Sequence, residues 1–338
     1  MTACAILSPR SLHAAVSAEH NNSIMTVAGP VPPAKLGLSL PHEHVLVDFI
    51  GADKIKPGRY LTDDAFKTIL PHLKKARELG CASIMECTPA YLGRDALLLR
   101  RLAAGSGLHI ITNTGYYGAS DNKFLPAHAL SETADQLGKR WIQEWTGGID
   151  GTGVRPGFIK IGVGGQSLSP LHRKLVQAAG RTHRATGLTI ASHTGPANLA
   201  IEQLDTLKTE GIAPSAFIWV HAQAEPDPAR CLQVAERGCW ISYDGFSPKD
   251  TERYLEIIDR LQRAGRLNQL LLSHDAGWFT PGEPDGGKFR PFVDLFQTFF
   301  PKLRERPADA DGQNTETLIH QIMVKNPARA FTRQVRLG

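Results

Sequence analysis

Side chains of the right types for metal chemistry stand in five short, mostly apolar runs. They are His42 and His44 in "LPHEH", Lys160 in "GFIKIG", His193 in "ASHTG", His221 in "VHAQ" and Asp275 in "SHDAG". Imidazole is the commonest ligand for borderline divalent ions, and a carboxylate completes such sites. Four histidines and an aspartate exceed what one tetrahedral ion with an open position requires, so the set is enough for two ions sharing an anionic bridge. Lys160 is the oddity. Between Ile159 and Ile161, a lone buried ammonium would cost several kcal/mol and cannot ligate a metal. Carboxylated by CO₂, the same side chain would be an anionic, bidentate bridge.

Something must bring these residues together. From residue 37 onward the chain repeats a short β-branched or apolar run, a turn and an amphipathic stretch, the pattern of βα units on a parallel sheet. Strands are predicted at 36–44, 82–88, 109–115, 156–164, 188–195, 216–222, 239–245 and 269–277, with helical stretches such as 63–80, 171–187 and 227–238 between them. Eight strands alternating with helices predict a single-domain (β/α)8 TIM barrel, with a doubly wound open sheet as the competitor. In the barrel, strand ends one, four, five, six and eight deliver all the residues above to one mouth. A period of two aims His42 and His44 inward and Glu43 the other way. The Gly- and Pro-rich stretch 277–296 reads as a long loop over that mouth.

Composition narrows the class. Of 338 residues, 42% are hydrophobic and 21% charged, ordinary globular usage, and no run approaches the ~18 apolar residues of a membrane span. The net charge of +5 is scattered without a basic stripe, which disfavours nucleic acid. Cys4, Cys81, Cys87, Cys231 and Cys239 form no CxxC pair, as expected in a reducing compartment. Residues 1–24 lack a basic stretch before a continuous apolar core, so they are read as a poorly ordered extension, not a signal peptide. The hydrolase domain is assigned to 25–338, Met25 is an alternative start, and a cytoplasmic location is expected. "GVGG" at 162–165 lacks the GxGxxG spacing of a dinucleotide cradle, which disfavours an oxidoreductase. His72, His109, His128, His172, His183, His274 and His320 are read as structural, with a supporting place beside the site open to His274.

In order and spacing, "LPHEH", "GFIKIG", "ASHTG", "VHAQ" and "SHDAG" resemble the phosphotriesterase family of the amidohydrolase superfamily, from about residue 25 to the C-terminus. The resemblance implies that His42, His44 and Asp275 hold the more buried ion and His193 and His221 the more exposed one, with N6-carboxylated Lys160 and a hydroxide bridging the pair. Zinc is the first expectation for both divalent ions, and the same donors accept manganese, cobalt or iron. Asp275, touching ion and hydroxide, is the expected general base. Tyr117 matches a tyrosine that stands over the metals in lactonase-like members, although a plain packed aromatic is the alternative. Trp278 and Phe279 are read as walls of an apolar substrate pocket or as covers of the barrel rim.

Two departures count against a dedicated phosphotriesterase. Ala224 stands where efficient members carry a relay aspartate, and Gly245 and Phe246 stand where many carry a histidine or arginine. No arginine cluster accompanies the metal set, which disfavours a phosphate monoester. The expectation is a hydrolase of neutral carboxyl esters or lactones, with phosphotriesters as a side activity. The alternatives are an amide hydrolase on the same centre and a non-catalytic small-molecule binder. A small molecule is the expected partner, without nucleic acid or membrane, and a homodimer is the assembly kept open.

Overall fold

The structure is a computed structural model and describes residues 22–306 and 314–338. Its parallel strands are β1 (Ser39–Leu46), β2 (Ser83–Glu86), β3 (His109–Ile111 with Asn113–Thr114), β4 (Phe158–Gly162), β5 (Ile190–His193), β6 (Phe217–Val220), β7 (Trp240–Tyr243) and β8 (Leu270–Leu272). Neighbours pair in sequence order, with β3 divided at Thr112 between two ladders. β8 meets β1 through His42 N donating to Ser273 Oγ at 3.0 Å, Asp275 N to His42 O at 3.2 Å and His44 N to Ala276 O at 2.9 Å. That seam closes the TIM barrel.

Alternation sorts the strand residues between two cores. Met85, Ile111, Phe158, Ala191, Ile218, Trp240 and Leu271 fill the barrel, closed below by Ile24 and Phe331. Their sequence neighbours Ile84, Ile110, Ile159, Ile190, Phe217, Ile241 and Leu270 pack in the outer layer with the helices. Phe158 and Lys160 therefore share the inward face of β4, and Ala191 and His193 that of β5.

Two strand ends break the simple rule. A β-bulge between Leu40 and Glu43 rephases β1, so Leu40 packs outward while His42 and His44 turn in. The eighth predicted strand, 269–277, leaves its ladder at Leu272 and Ser273–Ala276 is irregular. Pairing resumes at Gly277–Phe279, beside His44–Leu46 of β1, where an open loop was expected. Only glycine fits at 277: its φ is +101°, and a Cβ would lie 1.7 Å from His44 O.

The outer helices are α1 (Thr62–Glu78), α2 (Ala96–Ser106), α3 (Ala134–Gly147), α4 (Pro170–Thr186), α5 (Ala197–Thr209), α6 (Pro228–Glu236) and α7 (Thr251–Arg263). Among the described residues, no helix is long and apolar enough to cross a membrane. Residues 1–21 of the expected extension lie outside the described residues. The domain boundary expected at 25 falls within an antiparallel hairpin, Ile24–Thr26 with Gly29–Val31, whose Ile24 is fully buried.

Candidate metal centre

His42, His44, Lys160, His193, His221 and Asp275 all line one cavity of about 310 Å³. At its floor, Asp275 Oδ1 lies 3.2 Å from His44 Nε2 and 3.6 Å from His42 Nε2, and the two Nε2 atoms are 3.2 Å apart. Donors placed tetrahedrally at ~2.1 Å from one ion would be about 3.4 Å apart. Asp275 Oδ1 is buried and has no hydrogen-bond donor. His42 Nδ1 faces a carboxylate, so it carries the ring proton and its Nε2 presents a lone pair. A carboxylate oxygen and an imidazole lone pair turned on one another out of water need a cation between them, and the floor fits a divalent ion.

Lys160 is completely buried at the centre of the barrel, and burial pushes its pKa down. Its ammonium makes no ion pair with any described carboxylate, and its Nζ lies 5.7 Å from the centroid of the Tyr117 ring. His193 and His221 stand edge to face with ring centroids 4.5 Å apart. Burial, helped by His221 and Lys160, holds His193 well below the usual histidine range, so it is neutral and able to ligate. His221 should point outward by alternation, with Phe217 and Trp219. A left-handed backbone at φ +62° turns it into the cavity.

Asp244, at the end of β7 and fully buried, had no role assigned from the sequence. Its Oδ2 accepts from His42 Nδ1 at 3.1 Å and its Oδ1 from His221 Nδ1 at 2.7 Å, with Gln223 Nε2 donating at 3.0 Å. One carboxylate thus sets the tautomer and aim of both His42 and His221. Asp244 also lies near enough to His42 and His221 to count as a ligand, but its oxygens hold the Nδ1 sides, away from the Nε2 atoms at the floor. Burial pushes its carboxyl up, and the two imidazoles more than reverse this. The signal was there: with Trp240 inside, alternation aims residue 244 inward too.

Glu43 points away from the cavity, as its alternation requires, yet it shapes the floor. Fully buried, it accepts from Ser273 Oγ (2.8 Å), His274 N (3.0 Å), His274 Nδ1 (2.7 Å) and Ala276 N (2.8 Å). These bonds bracket Asp275, whose φ is +53°, a strained value for a non-glycine residue. His274 faces outward, with Nε2 accepting from Leu295 N at 3.0 Å. Burial pushes the Asp275 carboxyl up, but the imidazoles around it, His44 nearest, outweigh burial and hold it below the usual carboxylate range.

Of the expected substrate residues, two reach the cavity. Tyr117 OH lies 3.2 Å from both ring nitrogens of His193, and burial pushes its phenol up to about 12, so it remains a neutral donor. Trp278 lines the wall 5.8 Å from the His44 ring. Phe279 does not line it: one residue on, it turns away and packs against Tyr60 at 6.1 Å. Val47, Phe49, Leu92 and Phe124, not singled out from the sequence, complete the apolar wall.

A family model described as the phosphotriesterase family matches residues 22–331. A phosphotriesterase homology protein of Escherichia coli is 27% identical over 80% of this chain and 91% of its own. A human N-acetyltaurine hydrolase is 25% identical over 92% and 98%. The structure of an enzyme in which organophosphate hydrolysis was engineered from a weak promiscuous lactonase template superposes with a TM-score of 0.79, at 27% identity over 91% of this chain and 99% of that one. The match spans nearly the whole barrel and every residue of the centre, so this chain belongs to the phosphotriesterase family of hydrolases.

Proposed function

We propose that this protein is a dinuclear metal-dependent hydrolase that cleaves a neutral carboxyl ester or lactone group. The observation that carries the reading is the donor-free Asp275 Oδ1 held against His42 Nε2 and His44 Nε2. His42, His44 and Asp275 would hold one ion, His193 and His221 the other, and Lys160 would bridge them as a carbamate. Its lowered pKa supports this, because only the neutral amine adds CO₂, forming the N–C bond and releasing a proton. When bound, such ions supply Lewis acidity and lower the pKa of a coordinated water from ~15.7 towards ~7.

The chain's own groups do the rest. Asp275, kept ionised at neutral pH, accepts the proton of the attacking water on a carboxylate oxygen and returns it to the leaving oxygen. Tyr117 OH, neutral at this pH, donates a hydrogen bond to the substrate at the cavity mouth. Val47, Phe49, Leu92, Phe124 and Trp278 exclude water around the acyl group. Ala224 and Gly245 leave phosphotriester cleavage a side activity. A Cβ at Gly245 would lie 2.6 Å from Gln223 Nε2, so a side chain there would have to displace the amide that donates to Asp244.

The human relative's name favours a second reading, amide cleavage on the same residues. A panel of lactones, aryl esters, amides and a neutral phosphotriester, run on metal-replete protein beside Asp275→Asn, decides. The reading expects ester or lactone turnover to lead and to collapse in the variant. Amide turnover in the lead selects the second reading, and no turnover of any member overturns both.

A further inference from the structure

We propose that the substrate carries a single negative charge, a carboxylate or sulfonate, at the end remote from the cleaved bond, and that Lys123 recognises it. The inference rests on the hydrolase reading above and deepens it: the group cleaved stays neutral, but the substrate as a whole is charged at its far end, in place of the wholly neutral ester or lactone expected from the sequence. Beside the metal-centre residues and Tyr117, the cavity wall is apolar except for Ser120 and Lys123. Lys123 is exposed and has no carboxylate within ion-pair distance among the described residues. Its Nζ lies 5.4 Å from the Phe124 ring centroid, so a cation–π contact steadies it over the aromatic wall.

The nearby acids do not satisfy it. Asp48 is taken by Arg59, which donates from Nε and Nη2 to its two oxygens. Asp53 stands beside Gly51, which also approaches Lys123 Cε, but forms no ion pair with the lysine. Asp121 is exposed two residues back and makes none either.

The turn that presents Lys123 is built, not slack. Ser120, Asp121 and Asn122 are all left-handed, with φ of +57°, +54° and +62°. Buried His172 of α4 pins the turn, its Nε2 lying 3.0 Å from both Gly118 O and Asn122 Oδ1. Lys123 N donates to Ser120 O at 3.1 Å, and Lys123 O accepts from Ala52 N at 3.0 Å. Three strained residues in a row persist only where their surroundings over-determine them, and such strain gathers at binding sites. A single ammonium over an apolar wall matches one negative charge at the end of a short chain. A dianionic phosphate would call for several donors, which the wall does not offer.

Matched substrates test this. Monoethyl glutarate is compared with diethyl glutarate, and N-acetyl-β-alanine and N-acetyltaurine with N-acetyl-β-alaninamide, on metal-replete wild type, Lys123→Ala and Lys123→Glu. The inference expects kcat/KM for the acid-bearing member to exceed its uncharged partner by about fivefold, expressed in KM. That ratio falls to near one in Lys123→Ala, inverts in Lys123→Glu and shrinks with added salt. Preference for the carboxylate or the sulfonate names the acid. Equal ratios in wild type and Lys123→Ala, with turnover intact, overturn the inference and leave the hydrolase reading standing. If no member is turned over, the hydrolase reading fails and binding decides the inference: 4-oxopentanoate is titrated against 4-oxopentanamide. Tighter binding of the acid that is lost in Lys123→Ala sustains it, and equal affinities overturn it.

Discussion

Asp244 Oδ1 lies 2.7 Å from His221 Nδ1, and that pair fixes which imidazole nitrogen faces the cavity. The other oxygen does the same for His42 at 3.1 Å, so one buried side chain orients both imidazoles. In Asp244→Asn the amide offers one acceptor where two N–H groups need one each. Metal affinity or kcat/KM should fall about 10- to 100-fold, read by chelator competition and by kinetics on metal-saturated protein. Unchanged affinity and rate would remove Asp244 from the centre.

Glu43 makes a separate prediction about stability. Glu43→Gln sets an NH₂ group among the donors that Glu43 now accepts from, Ser273 Oγ, His274 N, His274 Nδ1 and Ala276 N. Urea denaturation should show a loss of about 1–3 kcal/mol. The left-handed Asp275 should relax with it, so metal content should drop in the variant that still folds.

Far from the centre, His183 links stability to pH. Its Nδ1 donates to Leu188 O at 2.8 Å and its Nε2 accepts from Arg336 N at 2.9 Å, so it must be neutral. Burial pushes its pKa below the ordinary ~6.5. Below that pH the unfolded chain takes up a proton that the folded chain refuses, so this contribution is complete above about pH 6.5 and is lost on acidification until the folded-state pKa is passed. Denaturation at a series of pH values should show a steeper acid loss in wild type than in His183→Gln, by at most about 1.4 kcal/mol per pH unit. Parallel curves would contradict it.

Tyr117→Phe keeps the ring and removes the hydroxyl that lies beside His193. Loss of one neutral hydrogen bond should lower kcat/KM about tenfold. An unchanged value would leave Tyr117 as a packed aromatic.

Strand order and the inward face of Lys160 and His193 were legible because the barrel follows a period of two wherever the backbone is regular. The residues that escaped sit where it is irregular. The bulge beyond Leu40 and the left-handed His221 change phase without any glycine to announce them. The break at Ser273–Ala276 depends on Glu43, more than two hundred positions away in sequence, so no local pattern reveals it. Phe279 leaves the cavity wall for the same reason: after the break, pairing with β1 decides which side each residue takes. Asp244 followed the alternation and was overlooked because its partners come from β1 and the end of β6.

The central claim is that these strand ends hold two divalent ions, and elemental analysis tests it most directly. Purified protein, loaded and then dialysed against metal-free buffer, should retain about two divalent ions per chain, and Asp275→Asn measurably fewer. A wild-type protein that retains none, or a variant that retains as many, would contradict it.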